Sequence, residues 1–262
     1  MARVRLDQLL VDRALAPSRA AAQALLLAGE VELTGTGTRT LKPGQLVDRE
    51  AVVSVVARPS WASRAGEKLV AALDAFAVDP TGLACLDAGA STGGFTDVLL
   101  ARAARIIYAV DVGRGQLLDR LARDPRVMSM ERTNLRTLRQ LPEPIDLATL
   151  DLSFISLGLV LGAVRDLLTD EGRVIALVKP QFEAGREAVP RGGVVREAET
   201  HRAVLLAFAE DVRLAGFAPA ALIASPVVGA DGNREFLALL VRGGEPRLDW
   251  HQLVDTVVAS PV

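Results

Sequence analysis

The 262-residue chain has very little cysteine and histidine, which excludes several kinds of site. Its single cysteine, Cys85, excludes an intrachain disulfide framework and any metal site built from a cysteine cluster. Its two histidines, His201 and His251, give little support to a histidine-based zinc site. We therefore expect no bound metal.

The chain also lacks long apolar runs and a strong charge of either sign. No stretch approaches the ~18 uninterrupted apolar residues of a membrane-spanning helix, and the first residues carry no apolar signal segment. The 30 basic residues nearly balance the 32 acidic ones, which argues against indiscriminate nucleic-acid binding but permits a local basic face. We expect a cytoplasmic protein, monomeric by default, with neither membrane nor DNA as a partner.

What the chain does have is a glycine-rich segment, Asp87–Phe95, between an apolar run at 83–86 and a helical pattern at 95–102. This order predicts a strand, a tight turn and a helix, whose first N–H groups are free to bind an anion. The spacing of Gly89, Gly93 and Gly94 does not fit G-x-G-x-x-G, which argues against an NAD-dependent dehydrogenase. It resembles instead the S-adenosylmethionine loop of methyltransferases, although a turn without any ligand is the simpler alternative.

Residues from 63 onward alternate between short apolar strands and helical patterns. We predict helices at 68–77, 157–168 and 198–214, and strands at 83–86, 106–110, 127–130, 147–150, 173–178, 219–225 and 235–241. Such alternation predicts an α/β fold with a parallel sheet covered on both faces.

Charged side chains follow four of these strands. Asp87, Asp111, Asp151 and Lys179 all fall at predicted strand ends, where ligands of open α/β sheets bind. Asp111 is suited to accept both hydroxyls of a ribose, with a local turn as the alternative, and Asn134 follows the third strand towards an adenine. A lysine directly after a buried strand is unusual, because structural lysines are normally exposed.

The first 58 residues form a separate pattern. Leu6, Leu9, Leu10 and Val11 make one helical stripe, and Ser18 is placed to cap a second helix that Gly29 ends. Short strand-like pieces follow at 31–33 and 51–56. We predict domains at 1–58 and 63–262, joined by a linker at 59–62.

The first domain resembles the S4-type RNA-binding domain, a small α+β module that grips folded RNA. The resemblance is carried by Arg5-Leu6-Asp7, Ser18-Arg19, Gln23, Gly29 and Val31. It implies RNA contacts from basic side chains, for which we name Arg3, Arg5, Arg13, Arg19, Arg39, Lys42 and, beyond the linker, Arg64. Eight basic and six acidic residues in 1–60 are too nearly balanced to predict this alone, so an ordinary solvated face is the alternative.

The chain-wide resemblance rests on four further residues. In order, Lys68, Asp151, Lys179 and Glu235 resemble the Lys-Asp-Lys-Glu tetrad of the RNA 2′-O-methyltransferases related to FtsJ/RrmJ. The S4-type domain in front narrows this to the TlyA family, also called hemolysin A. One departure is Ala65, where that family more often has glycine. The supporting blocks are Ala109–Leu117, Glu131–Asn134, Asp151–Leu157, Val178–Arg186, Gly192–Arg196 and Gly232–Phe236.

The resemblance implies a Rossmann-like methyltransferase domain with a mostly parallel seven-stranded sheet whose last strand is antiparallel. It implies methyl transfer from S-adenosylmethionine to cytidine 2′-hydroxyls of 16S and/or 23S ribosomal RNA, free or in ribosomal subunits, with no metal. The tetrad would be catalytic. The cofactor-binding residues would be Asp87, Gly89, Ser91, Thr92, Gly93, Gly94, Phe95, Asp111, Asn134 and Asp151.

Several alternatives stay open. Lys179 either takes the proton of the hydroxyl as a neutral amine or stabilises the developing oxyanion as an ammonium. The chain could instead be a non-catalytic RNA-binding protein that serves ribosome assembly. A membrane-active cytolysin, suggested by the older family name, would need an inserting segment or a strongly basic amphipathic helix, and we find neither.

Overall fold

The structure is a computed structural model that describes residues 3–27, 31–34, 41–55, 61–185, 189–190, 192–229, 232–243 and 249–260. The chain divides into two compact units, Met1–Pro59 and Ser60–Val262. Residues 59–60 of the predicted linker and the strand end predicted at 56 lie outside the described residues.

Within its described residues, the first unit has two helices and two short antiparallel strand pairs. Helices α1 (Leu6–Asp12) and α2 (Arg19–Leu27) pack on a small core that includes Leu6, Leu9, Leu10, Ala22 and Leu26. Strand β1 (Arg3–Arg5) pairs with β3 (Leu46–Asp48), and β2 (Val31–Leu33) pairs with β4 (Val53–Val55). Ser18 Oγ accepts the Ala21 N–H at 3.2 Å, so the predicted cap is confirmed. Gly29 lies outside the described residues.

A seven-stranded sheet forms the centre of the second unit. Its strands are β5 (Ala84–Ala88), β6 (Ile106–Val110), β7 (Val127–Met130), β8 (Ile145–Leu150), β9 (Leu168–Val178), β10 (Phe217–Ala224) and β11 (Phe236–Arg242). The order is β10-β11-β9-β8-β5-β6-β7, and only β11 runs antiparallel to its neighbours. The predicted α/β class, strand number and antiparallel last strand are confirmed.

Helices cover both faces of this sheet, because alternate residues of nearly every strand are apolar on either side. One face packs against α6 (Gly158–Leu167), α8 (Ala198–Leu214) and α9 (Trp250–Ala259). The other face packs against α3 (Ala65–Ala75) and α4 (Gly94–Ala101). Two one-turn helices, α5 (Asp119–Ala122) and α7 (Pro180–Glu183), lie in the connections.

The predicted boundary between the helix at 157–168 and the following strand is wrong. The helix predicted at 157–168 ends at Leu167, and β9 begins directly at Leu168, five residues before the predicted strand. Leu168 pairs with Ile145 of β8, and a register irregularity follows, since the next pair joins Leu147 to Arg173, two residues further along β8 and five along β9. The extension therefore depends on a long-range pairing that local periodicity does not report.

Candidate active site

The four predicted strand-end residues lie along one edge of the sheet. Asp87 is in β5, and Asp111, Asp151 and Lys179 directly follow β6, β8 and β9. These strands are parallel and adjacent in the order β9-β8-β5-β6. Their carboxyl ends therefore present the four side chains to a common edge.

The glycine loop approaches this edge too closely for larger residues. Gly89 has φ of 84°, and a Cβ there would lie 2.3 Å from the carbonyl oxygen of Asp151. Gly93 has φ of 99° and precedes α4, and a Cβ there would lie 2.3 Å from Leu121. Glycine is required at position 89, because the left-handed backbone and the contact with a main-chain oxygen each exclude a side chain. At position 93 the left-handed backbone favours glycine, while the contact is with the flexible end of a leucine side chain.

A cavity of about 380 Å³ opens between this loop and the ends of β6 and β8. Five of the predicted cofactor-binding residues line it, namely Gly89, Ser91, Asp111, Asn134 and Asp151. The others do not: Thr92 is exposed elsewhere, Gly93 and Gly94 are buried beneath the loop, and Phe95 packs in the core beside α3. Any ligand contact from Phe95 would have to use its backbone N–H.

Asp111 is held rigidly at the wall of the cavity. Its two carboxylate oxygens accept the backbone N–H groups of Ser91, at 2.8 Å, and Gly113, at 2.7 Å. Each oxygen keeps a second lone pair for a ligand hydroxyl. The Asn134 side-chain oxygen accepts the Arg136 N–H at 3.0 Å, so this residue also fixes its own turn.

Asp87 does not reach the cavity, and its carboxyl group is fully buried. One oxygen accepts the Thr96 hydroxyl at 2.5 Å, whereas Oδ1 has no hydrogen-bond partner. Burial raises the pKa of Asp87 to about 7, and the nearby charge of Asp151 adds to the shift. Burying a carboxyl group with one unpaired oxygen costs free energy, which makes Asp87 a candidate functional residue.

The predicted tetrad forms two ion pairs. Lys179 Nζ lies 2.7 Å from Asp151 Oδ1 and donates to Ser153 Oγ at 3.0 Å. Lys68 Nζ lies 2.5 Å from Glu235 Oε2. Both lysines and Glu235 are buried, while Asp151 is partly open to the cavity. Lysine is rare here, since Lys42 is the only other one in the sequence.

Glu235 is held by close neighbours. It comes just before β11, and its carbonyl accepts the Ser225 N–H at 2.9 Å. A Cβ on Gly229 would lie 2.5 Å from its Oε1 oxygen, so the 225–229 turn covers the carboxylate. Arg64, at the start of α3, donates to the Val228 carbonyl at 3.2 Å and keeps its side chain exposed beside that turn.

Phe154 is a functional candidate that sequence reasoning missed. Its residue surface is 91% exposed, and its φ of 65° is unfavourable for a large side chain. Its ring packs against Phe182 at a centroid distance of 5.1 Å, and Lys179 Nζ lies 5.9 Å from the Phe182 centroid. No periodic pattern singles out such a residue, although its place three residues after Asp151 was a usable signal.

In the first unit, two predicted RNA-binding arginines converge on one buried carboxylate. Asp7 accepts hydrogen bonds from Arg5, at 3.0 and 2.8 Å, and from Gln23 at 2.9 Å, and Arg19 lies 3.4 Å away. The Arg5 hydrogen bonds hold the pKa of Asp7 well below its usual range. Both arginines stay about half exposed, and Arg3 is exposed on its strand.

Within the described ranges, no group of three or more histidine, cysteine, aspartate or glutamate residues could hold a metal ion. Across the same residues, no helix is long and apolar enough to cross a membrane.

Comparison with known proteins identifies relatives over nearly the whole chain. Residues 61–242 match the family described as FtsJ-like methyltransferase. The chain is 43% identical over 97% of its length to the 16S/23S rRNA (cytidine-2′-O)-methyltransferase TlyA of Mycobacterium tuberculosis, and covers 96% of that protein. It is 36% identical to Hemolysin A of Brachyspira hyodysenteriae, over 90% of this chain and 98% of that one. A solved structure, "Putative hemolysin from Streptococcus thermophilus", superposes with a TM-score of 0.77 at 40% identity, over 99% of this chain and 95% of that one.

Proposed function

The chain belongs to the FtsJ-like methyltransferase family, and we propose that it methylates the 2′-hydroxyl of cytidine in ribosomal RNA, with S-adenosylmethionine as the donor. The observation that carries this proposal is the position of Asp151. Its carboxylate lines the cavity beside Gly89 and Asp111 and also pairs with Lys179 at 2.7 Å. Donor cavity and candidate catalytic amine therefore share one residue.

The cavity has features that suit S-adenosylmethionine. The Asp111 carboxylate can accept ribose hydroxyls, and the bare backbone of Gly89 permits close approach of a ligand. The cofactor supplies a methyl group already activated on a sulfonium. The remaining task of the protein is to align the acceptor oxygen and to handle its proton.

Lys179 is the residue we assign to that task. Asp151 and Ser153 hold its amine at the cavity edge, and burial strengthens its electrostatic effect on a nearby oxygen. The Lys68–Glu235 pair is the second half of the proposed acceptor site. As an ammonium, Lys179 would stabilise the developing oxyanion; as a neutral amine, it would take the hydroxyl proton.

Because lysine is rare in this chain, the two roles of Lys179 can be distinguished by following its side-chain NMR signal. With three lysines in the chain, ¹⁵N-lysine labelling gives three side-chain signals, which Lys179→Arg and Lys68→Arg assign. A Lys179 signal that stays protonated across the pH range of full activity supports the oxyanion role. A signal that loses its proton together with the rise in rate supports the base role.

The proposal extends to how RNA is held. The exposed Phe154 ring suits stacking on an unpaired base that has left its helix. The first unit, with Arg3, Arg5 and Arg19, would grip folded RNA, as its resemblance to S4-type domains suggests. A ribosomal substrate also favours a cytoplasmic location. This location, the RNA contact of Arg64 and the monomeric state all stay predictions.

A methyl-transfer assay tests the proposal directly. Wild type, Lys179→Ala and Lys179→Arg are incubated with tritium-labelled S-adenosylmethionine and 16S RNA, 23S RNA or isolated subunits. We expect label in RNA with wild type, none with Lys179→Ala, and cofactor affinity within about twofold in all three. Wild type that labels no substrate but binds RNA contradicts the proposal and favours the non-catalytic alternative. Loss of folding and cofactor binding in Lys179→Ala contradicts its catalytic assignment.

A further inference from the structure

The C-terminal helix α9 lies outside the proposed site, yet its last turn is bound by the residue next to Glu235. Arg234 Nη1 donates to the Val258 carbonyl at 2.7 Å. Arg234 Nη2 donates to the carbonyls of Val257 and Ser260, each at 2.7 Å. These carbonyls have no partner within the helix itself, so one guanidinium satisfies the helix end.

The charge of Arg234 is balanced in an unusual way. Among the described residues, no carboxylate pairs with it, and its Nε atom is buried without a partner. Its guanidinium lies 5.3 Å from the centroid of the Phe236 ring. The negative end of the α9 dipole and the ring face therefore hold this cation in place of an acidic side chain.

Helix α9 is a firm anchor for this contact. The Trp250 indole N–H donates to the Leu205 carbonyl of α8 at 3.1 Å. Arg202 of α8 pairs with Asp255 at 2.6 Å. Val254 and Val257 are buried in the core beneath them. Since α9 is packed along its length on α8, its last carbonyls are fixed relative to the sheet.

Alternation along β11 places the neighbouring side chains on opposite faces. Phe236 belongs to the core on the α8 and α9 side, whereas Leu237 belongs to the core on the α3 side. By the same alternation Arg234 contacts α9, and Glu235 contacts Lys68 of α3. The ladder between β11 and β9 starts only at Phe236, so Glu235 precedes it. Fixing Arg234 on one face therefore sets the direction of Glu235 on the other.

We propose that Arg234 is a positioning residue, which uses the end of α9 to aim Glu235 at Lys68 in the acceptor half of the site. This rests on the proposed methyl transfer. It gives the C-terminal segment a role in catalysis without contact to substrate.

The chain offers a matched control on the same strand. Arg242, at the far end of β11, likewise donates to backbone carbonyls, those of Leu168 at 2.5 Å and Thr169 at 3.3 Å. Arg242 also pairs with the exposed Asp170 at 3.3 Å. Arg242→Gln therefore removes two carbonyl contacts and this ion pair, far from Glu235. Arg234→Gln and Arg234→Lys remove or reduce the contacts next to it.

The test is steady-state methyl transfer with the full chain, together with thermal midpoints. We expect Arg234→Gln to lower kcat by about tenfold or more, with KM for S-adenosylmethionine within about twofold. Arg234→Lys, which keeps the charge and three donors, should regain part of kcat. Arg242→Gln should keep kcat at a similar loss in thermal midpoint. Equal kcat losses at 234 and 242, or none at 234, overturn the inference.

A double substitution covers the case in which Arg234→Gln does not fold. If Arg234 acts through Glu235, Arg234→Lys adds no further loss of kcat in a Glu235→Gln background. Multiplied losses overturn the inference. A wild type that transfers no methyl group contradicts the proposed function instead, so the two failures are distinguishable.

Discussion

Replacing Asp87 by asparagine should make the protein more stable above neutral pH. The carboxyl group of Asp87 is fully buried, Oδ1 has no partner, and burial raises its pKa to about 7. An unfolded aspartate has a pKa of about 3.9. Between these values the folded chain holds a proton that the unfolded chain releases, so stability falls as pH rises from about 4 to about 7.

The magnitude follows from the same difference. A shift of about 3 pKa units corresponds to a penalty of about 4 kcal/mol above pH 7, which is an upper bound because a buried site relaxes. The asparagine amide would place an unpaired donor where Oδ1 now lies, at a cost of about 1–3 kcal/mol. We expect a net gain of about 2 kcal/mol at pH 8, or roughly 5 °C in thermal midpoint.

The assay is thermal unfolding at several pH values between 5 and 8, with Asp146→Asn as the control. Asp146 accepts the N–H of Ala84, which begins β5, the strand that contains Asp87, at a distance of 2.9 Å. The Asp146 side chain is partly exposed. The Asp87→Asn variant and wild type should be similar at pH 5 and diverge towards pH 8. Asp146→Asn should bring no such gain, because Asp146 is partly exposed and accepts a hydrogen bond. Parallel curves for wild type and Asp87→Asn would refute the reasoning about burial.

The same variant tests the predicted cofactor role of Asp87. A bound cation favours the ionised carboxylate, so binding S-adenosylmethionine should release protons from wild type near pH 7. Calorimetry in two buffers of different ionisation enthalpy measures that release. The more stable asparagine variant should bind the cofactor more weakly without proton release, as expected when function retains a destabilising group. Unchanged binding would show that Asp87 does not influence cofactor binding.

Three further variants probe other parts of the account. Gly89→Ala should weaken cofactor binding at least about tenfold, because its Cβ would lie 2.3 Å from the Asp151 carbonyl oxygen. The control Gly162→Ala, which has open space around it, should leave the affinity unchanged, and equal affinities of the two variants in calorimetry would contradict the prediction. Phe154→Ala should raise KM for RNA by about tenfold with cofactor affinity unchanged, and an unaltered KM would argue against stacking. Asp7→Asn should lower the free energy of unfolding of the first unit by about 2 kcal/mol at pH 7. Since the pKa of Asp7 is depressed in the folded state, the difference in stability between wild type and variant should shrink below about pH 4, and urea titrations that show no such convergence would contradict the prediction.

Much of the second unit could be predicted because its signals are local. The helix at 198–214 and the strands at 106–110 and 127–130 have the predicted bounds, since strong apolar periodicity and turn residues define them. Because ligands of open α/β sheets bind at the carboxyl ends of the strands, the sequence also predicts that Asp111, Asp151 and Lys179 share one edge of the sheet.

The misses depend on contacts between distant parts of the chain. Strands β1 and β3 have three residues each and pair across about forty residues of sequence, so neither carries a pattern of its own. The lysine–carboxylate pairings of the tetrad were equally hidden, because Lys68 and Glu235 lie 167 positions apart. The positive φ of Phe154 breaks a local rule, and such violations concentrate at functional sites.

The measurement that tests the central claim most directly is a map of 2′-O-methyl marks. Each ribosomal subunit and its naked RNA is incubated with S-adenosylmethionine and either wild type or Lys179→Ala, and every ribose methylation is located by position. The account predicts new marks on cytidine ribose with wild type and none with Lys179→Ala. Marks on bases instead of ribose, or equal marks with both proteins, would contradict it.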